Sequence, residues 1–136
     1  MIDVCLVEVP YSSFASPVFS LSLLKGALHG SGLESQVVYG NMLFCRKVGL
    51  DHYLYGLSMT PQELMFGDMV FAAYAHGKPL NKSKLSSLLQ QQGYGERGAR
   101  AIYEEIEYQA SQVAIFIQEL GEMILSKQPR IVAMAN

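Results

Sequence analysis

Apolar positions change their spacing several times along the chain, and each change marks an element. Residues 2–9, IDVCLVEV, form a near-continuous run of apolar and β-branched side chains that Pro10 stops; this predicts a strand with Cys5 buried in it. The loop PYSSFAS follows. Ser16 suits an N-cap, and Pro17 suits the first helical position, where its missing N–H costs nothing. A helix over 17–30 then aligns Val18, Leu21, Leu24 and Leu28 on one face, with Gly30 and Gly32 as its stop. Residues 35–39, SQVVY, read as a second strand.

The middle of the chain carries the spacing of helices. Residues 41–49 and 50–57 predict two short helical pieces broken near Gly49. Thr60-Pro61-Gln62-Glu63 has the form of a capping box with proline at the first position. The helix it opens should run to about Tyr74, with His76 near its negative end and Gly77 and Pro79 beyond. A short helix over 82–92 should bury Leu85, Leu88 and Leu89. From Arg97 to Ser126 the pattern predicts one long amphipathic helix. Ile102, Ile106, Val113, Ile117, Leu120 and Ile124 form its stripe, and Glu104, Glu105, Glu107, Glu119 and Glu122 its solvated face. Pro129 ends it, and residues 130–136, RIVAMAN, read as a third strand.

Strand, helix, strand, helical insert, long helix, strand is the order of an α/β fold. It predicts a partial Rossmann-like, flavodoxin-like three-layer sandwich with a parallel sheet in the order 2-1-3 and right-handed crossovers. Ligands of such sheets bind at the carboxyl ends of the strands, where the order reverses. That point lies between the first and third strands, so Pro10, Tyr11, Ser12, Ser13, Ser16, Pro17 and Asn136 are the expected site. The serines offer hydroxyls, and the helix start offers N–H groups. A third parallel strand with nothing after it leaves an open edge. The reading is therefore one domain, 1–136, with a helical insertion at about 41–93, cut short on its C-terminal side and expected to pair with another copy through that edge.

Composition narrows the class. The chain has 136 residues, half of them hydrophobic, with 10 Lys+Arg against 12 Asp+Glu. It is too apolar to be disordered and lacks the clustered cations that nucleic-acid binding requires. Its longest uncharged stretch, residues 9–24, holds two prolines and is too short for a membrane span, which needs about 20 apolar residues. Two cysteines, Cys5 and Cys45, point to a reducing, cytoplasmic compartment rather than a disulfide scaffold.

Three stretches carry a family resemblance: VCLVEVPYSSFASPVFSLSLLKGALHGSGLESQVVYGN, MLFCRKVGLDHYLYGL and RIVAMAN. With Pro10, Pro17, the Leu21–Leu28 helix, Gly32, Tyr39 and Asn41, the chain resembles the N-terminal cobalamin-binding-like domain of radical SAM enzymes that mature ribosomally made peptides. The resemblance implies an accessory domain, not catalytic by itself, holding cobalamin, or a degenerate version of its site, beside a radical SAM barrel in the parent protein. The iron–sulfur cluster and SAM would belong to that downstream domain, because Cys5 and Cys45 cannot ligate a cluster alone. A precursor peptide is the further implied partner. The competing reading is a protein- or peptide-docking or assembly module on the same scaffold, with no corrinoid.

Other motifs read as structure. Asp51-His52-Tyr53-Leu54-Tyr55-Gly56 is near the corrinoid DxHxxG pattern but has the wrong spacing and place, so His52 is expected at the surface or at a helix cap. Gly93-Tyr94-Gly95-Glu96-Arg97-Gly98 matches GxGxxG, but a predicted helix precedes it where a dinucleotide fingerprint needs a strand. His29, His52 and His76 lack metal-ligand spacing.

Overall fold

The computed structural model describes residues 1–13, 19–60 and 64–135. β1 (Ile2–Glu8) lies in the middle of a parallel sheet, between β2 (Ser35–Tyr39) and β3 (Pro129–Ala135), in the order β2-β1-β3. A strand that is apolar at consecutive positions is stable only where both of its faces are covered, and β1 is buried nearly throughout. Val4 and Leu6 face α1 (Phe19–Gly30), in a small cluster with Leu21, Val37, Ala133 and Ala135. Cys5 and Val7 face the other way, into the main core. The register Leu6↔Val37 and Leu6↔Ala133 brings the same-face residues level across the sheet.

The main core is built by the helices between β2 and β3. These are α2 (Gly40–Val48), α3 (Leu50–Leu54), a π-helical turn (Tyr55–Met59), α4 (Phe66–His76), α5 (Lys82–Gln91), α6 (Glu96–Ala110) and α7 (Val113–Leu125). Phe116, Leu120 and Ile124 of α7 cover the Cys5 and Val7 side of the sheet, with Phe44 and Val48 of α2 beside them. Tyr53, Phe66, Val70, Leu89, Ile102 and Ile106 extend this core into the helical layer. No helix among the described residues is long and apolar enough to cross a membrane.

Several expectations need correction. The long helix over 97–126 is two helices. At the join, the Ser111 N–H reaches both Glu107 O and Tyr108 O, and the Gln112 N–H turns to Gln109 O. These tightened bonds close α6, and α7 restarts at Val113. Glu105 is not on a solvated face, since it bonds to His52 and Gln109. Glu119 pairs with Lys47. Leu88 and Leu24 are exposed rather than buried, because α5 and α1 each turn only one narrow stripe inward. The capping box expected at Thr60-Pro61-Gln62-Glu63 falls largely on residues outside the described ones. Thr60 Oγ1 donates back to Gly56 O at 3.1 Å, and α4 starts only at Phe66, after Met65 in the left-handed region. Pro61, Gln62 and Glu63 lie outside the described residues, as do Ser16, Pro17 and Val18.

Both outer layers are thin on the β3 side. Ile131 is 60% exposed and Met134 68%, while on α1 Phe19 is 73% exposed. β3 pairs with β1 alone among the described residues, so its other edge is open.

Candidate functional site

The carboxyl end of β1 is fixed from two sides. Glu8 is buried, and its Oε1 accepts from Ser12 Oγ at 2.6 Å and from Asn41 Nδ2 at 3.1 Å. Asn41 stands in the first turn of α2, and Gly40 before it passes so close that a Cβ there would sit 2.6 Å from Glu8 O. The chain can therefore turn from β2 into α2 only with glycine at that point. The Ser12 hydroxyl is thus spent on holding the loop. Ser13 is exposed. Ser16, Pro17 and Asn136, also expected at the site, lie outside the described residues.

Tyr11 leaves this loop for the core. Its φ is +68°, a left-handed conformation that costs a non-glycine residue about 1–2 kcal/mol. The surroundings hold it there. The Tyr11 N–H donates to Tyr53 Oη at 2.7 Å, and Tyr53 Oη donates to Ser12 O at 3.1 Å. The Tyr11 ring stacks on Tyr53 at 5.4 Å and meets Phe44 and Phe66 edge-on. Two glycines make room for it: a Cβ on Gly67 would lie 2.6 Å from the Tyr11 ring, and one on Gly56 would lie 2.9 Å from it. Burial pushes both phenols above their ordinary range; nearby carboxylates add to this, and the hydrogen bond from the Tyr11 N–H offsets part of it at Tyr53.

The Tyr11 hydroxyl ends in a polar network. It donates to Gln109 Oε1 at 2.6 Å, and Gln109 Nε2 donates to His52 O at 2.7 Å and Glu105 Oε1 at 2.8 Å. His52 Nδ1 lies 2.9 Å from the same carboxylate, and its ring packs on Tyr108. Gln109 is fully buried. Sequence reasoning passed over it, yet its place on the stripe of Ile102 and Ile106 was the signal: a polar residue at a core-facing position must have buried partners.

Beside Tyr11 opens a cleft of about 620 Å³, within the roughly 300–1,000 Å³ of small-molecule sites. Val9, Pro10 and Tyr11 form one side, Phe116, Leu120 and Met134 another, and Thr60, Met65, Phe66 and Asp68 a third. It lies at the carboxyl ends of β1 and β3, where the strand order reverses. Pro10 and Tyr11 are the expected site residues it contains; Ser12 and Ser13 do not line it. Irregular backbone gathers here. Tyr11 and Met65 are two of the three described non-glycine residues with positive φ, and both line the cleft. So do Gly56 and Leu57 of the π-helical turn. Strained residues and π-turns collect where a site needs a backbone that regular structure would not give.

The remaining motifs sit elsewhere. Gly93, at φ +92°, turns α5 into α6, and Gly95 precedes α6, so the GxGxxG match is a connection between helices. Cys5 is buried and Cys45 half-buried, both unpaired, and burial raises both thiols above their usual range. Among the described residues, no three His, Cys, Asp or Glu side chains come together as a metal site. Comparison with known proteins finds no matching family model, no similar curated protein and no similar solved structure.

Proposed function

We propose that the chain is a cobalamin-binding-like accessory domain of a radical SAM peptide-maturation enzyme, a binding module that is not catalytic by itself. The observation that carries the reading is the cleft at the carboxyl ends of β1 and β3, bounded by Tyr11, Met65 and the π-helical turn. Its walls fit a flat apolar ligand: Phe66, Phe71, Phe116, Leu120 and Met134 offer apolar surface, and the cleft is open on one side. A corrinoid is larger than the cleft, so one side of the macrocycle would enter it. None of His29, His52 and His76 lines the cleft, so the ligand would be held without a protein imidazole on its metal. When bound, a corrinoid would supply methyl-transfer or redox chemistry to a neighbouring catalytic domain. Residues of this chain would bind it, orient it and keep water from its apolar face. The reading brings with it a downstream barrel with its cluster and SAM, a precursor peptide as substrate, and a cytoplasmic location. The test is titration of hydroxocobalamin, followed by visible absorbance and thermal unfolding. A spectral change with a raised midpoint is expected; neither appearing removes corrinoid binding by this chain. An in-frame CxxxCxxC in the coding sequence beyond codon 136 would support the parentage independently.

A second reading, a docking or assembly module without corrinoid, is favoured by β3. Its sequence, PRIVAMA, has no lysine or acidic residue, and Ile131, Val132 and Met134 are exposed along the open edge. Such an edge invites another strand, from a second copy or from a bound polypeptide. Val132→Lys should suppress concentration-dependent association in light scattering; unchanged association would remove the edge from the account.

A further inference from the structure

We infer that Asp68 sets the polar specificity of the cleft, admitting ligands that turn an N–H donor, from a peripheral amide or an ammonium group, towards α4. The inference rests on the reading of the cleft as a ligand site and names what that site selects. Of the described side chains that line it, Asp68 alone carries a charge. Among the described residues, no hydrogen bond or ion pair ties its carboxylate.

The other polar side chains on the wall are already committed as donors. Thr60 Oγ1 donates to Gly56 O, and the Tyr11 hydroxyl donates to Gln109 Oε1. A ligand carboxylate or phosphate would therefore meet no described side-chain donor, and would face the Asp68 charge. A ligand N–H meets an ionised acceptor beside an apolar wall of Phe66, Phe71 and Leu57. Asp68 is itself exposed at the mouth of the cleft, so the bond is charge-assisted but made in competition with water. A corrinoid has this chemistry, with an apolar macrocycle face and primary amides around its rim.

The test titrates hydroxocobalamin, and its monocarboxylate derivatives in which one rim amide is hydrolysed, into the chain and into Asp68→Ala and Asp68→Lys, by calorimetry and visible absorbance. Asp68→Ala should weaken hydroxocobalamin about two- to fivefold, the loss of one solvent-exposed charged hydrogen bond. The native chain should prefer the amide form to at least one monocarboxylate, and Asp68→Lys should reverse that preference. A purely structural role for Asp68 would not reverse it. Equal affinity of the native chain and both variants for hydroxocobalamin overturns this inference and leaves the cleft as a ligand site. No binding by the native chain overturns both. Asp68→Asn keeps the shape of the side chain and an acceptor but removes the charge, so, if the other variants unfold, it should abolish the discrimination against the monocarboxylates.

Discussion

Replacing Tyr11 by alanine and by glycine separates the contribution of its ring from the strain of its backbone. Both substitutions delete a ring packed against Tyr53, Phe44 and Phe66 and hydrogen-bonded to Gln109. Losing a buried aromatic side chain costs about 3–5 kcal/mol, a large part of the 5–15 kcal/mol that holds a domain folded. The two variants differ in what remains at φ +68°. Alanine keeps a Cβ there at a cost of about 1–2 kcal/mol, which glycine escapes. Glycine in turn loses about 0.5–1 kcal/mol through the greater freedom of its unfolded chain. The net expectation is that Tyr11→Gly is the more stable of the two by about 0.5–1 kcal/mol, the reverse of the usual order. Urea unfolding followed by circular dichroism, with equal m-values, measures the difference. Alanine more stable than glycine by the ordinary margin would refute the left-handed backbone at Tyr11, and with it the account of strain around the cleft.

The same aromatic cluster should make the fold sensitive to alkali. Tyr11 and Tyr53 hold their protons in the folded chain well above the ordinary phenol range. The unfolded chain releases them near pH 10, so the folded state binds more protons above that pH and stability falls as pH rises. The loss should be up to about 1.4 kcal/mol per pH unit for each tyrosine, absent below pH 10, and smaller in Tyr11→Phe; a flat midpoint from pH 9 to 11 would contradict the burial. Gly67→Ala should destabilise by about 1–3 kcal/mol through overpacking, although alanine is the better helix former. The new Cβ would meet the Tyr11 ring at 2.6 Å, so Gly67→Ala in a Tyr11→Ala background should be close to neutral, and a full penalty there would place the clash elsewhere.

The sheet was readable in the sequence because β1 is apolar at consecutive positions and the elements on either side of it differ in period. Such a strand must be central, and the order 2-1-3 follows from placing it there. The cleft was located only as a region, the carboxyl ends of β1 and β3. What its walls are made of was not readable, because distant residues decide it. Tyr11 looked like a loop residue; its burial depends on Gly56 and Gly67, which the local pattern presents merely as weak helical positions. The join between α6 and α7 was invisible for a different reason. Ser111 and Gln112 both keep helical dihedrals, and the apolar stripe from Ile106 to Val113 crosses the join in register. Only the backbone bonding changes. At Thr60 the hydroxyl donates back to Gly56 O, four residues earlier, while the three residues that would complete a cap, 61–63, lie outside the described ones.

The pairing of β1 with β3 also governs how the molecule assembles. The strand made first, residues 2–8, acquires its neighbour on that side only when residues 129–135 arrive. Arg130 and Asp3, 127 positions apart, touch across that seam. Contacts between such distant segments are slow to close, because chain entropy must be overcome before they reward it. During synthesis the helices can condense while β1 waits with one flank bare, and the sheet closes only once β3 has emerged.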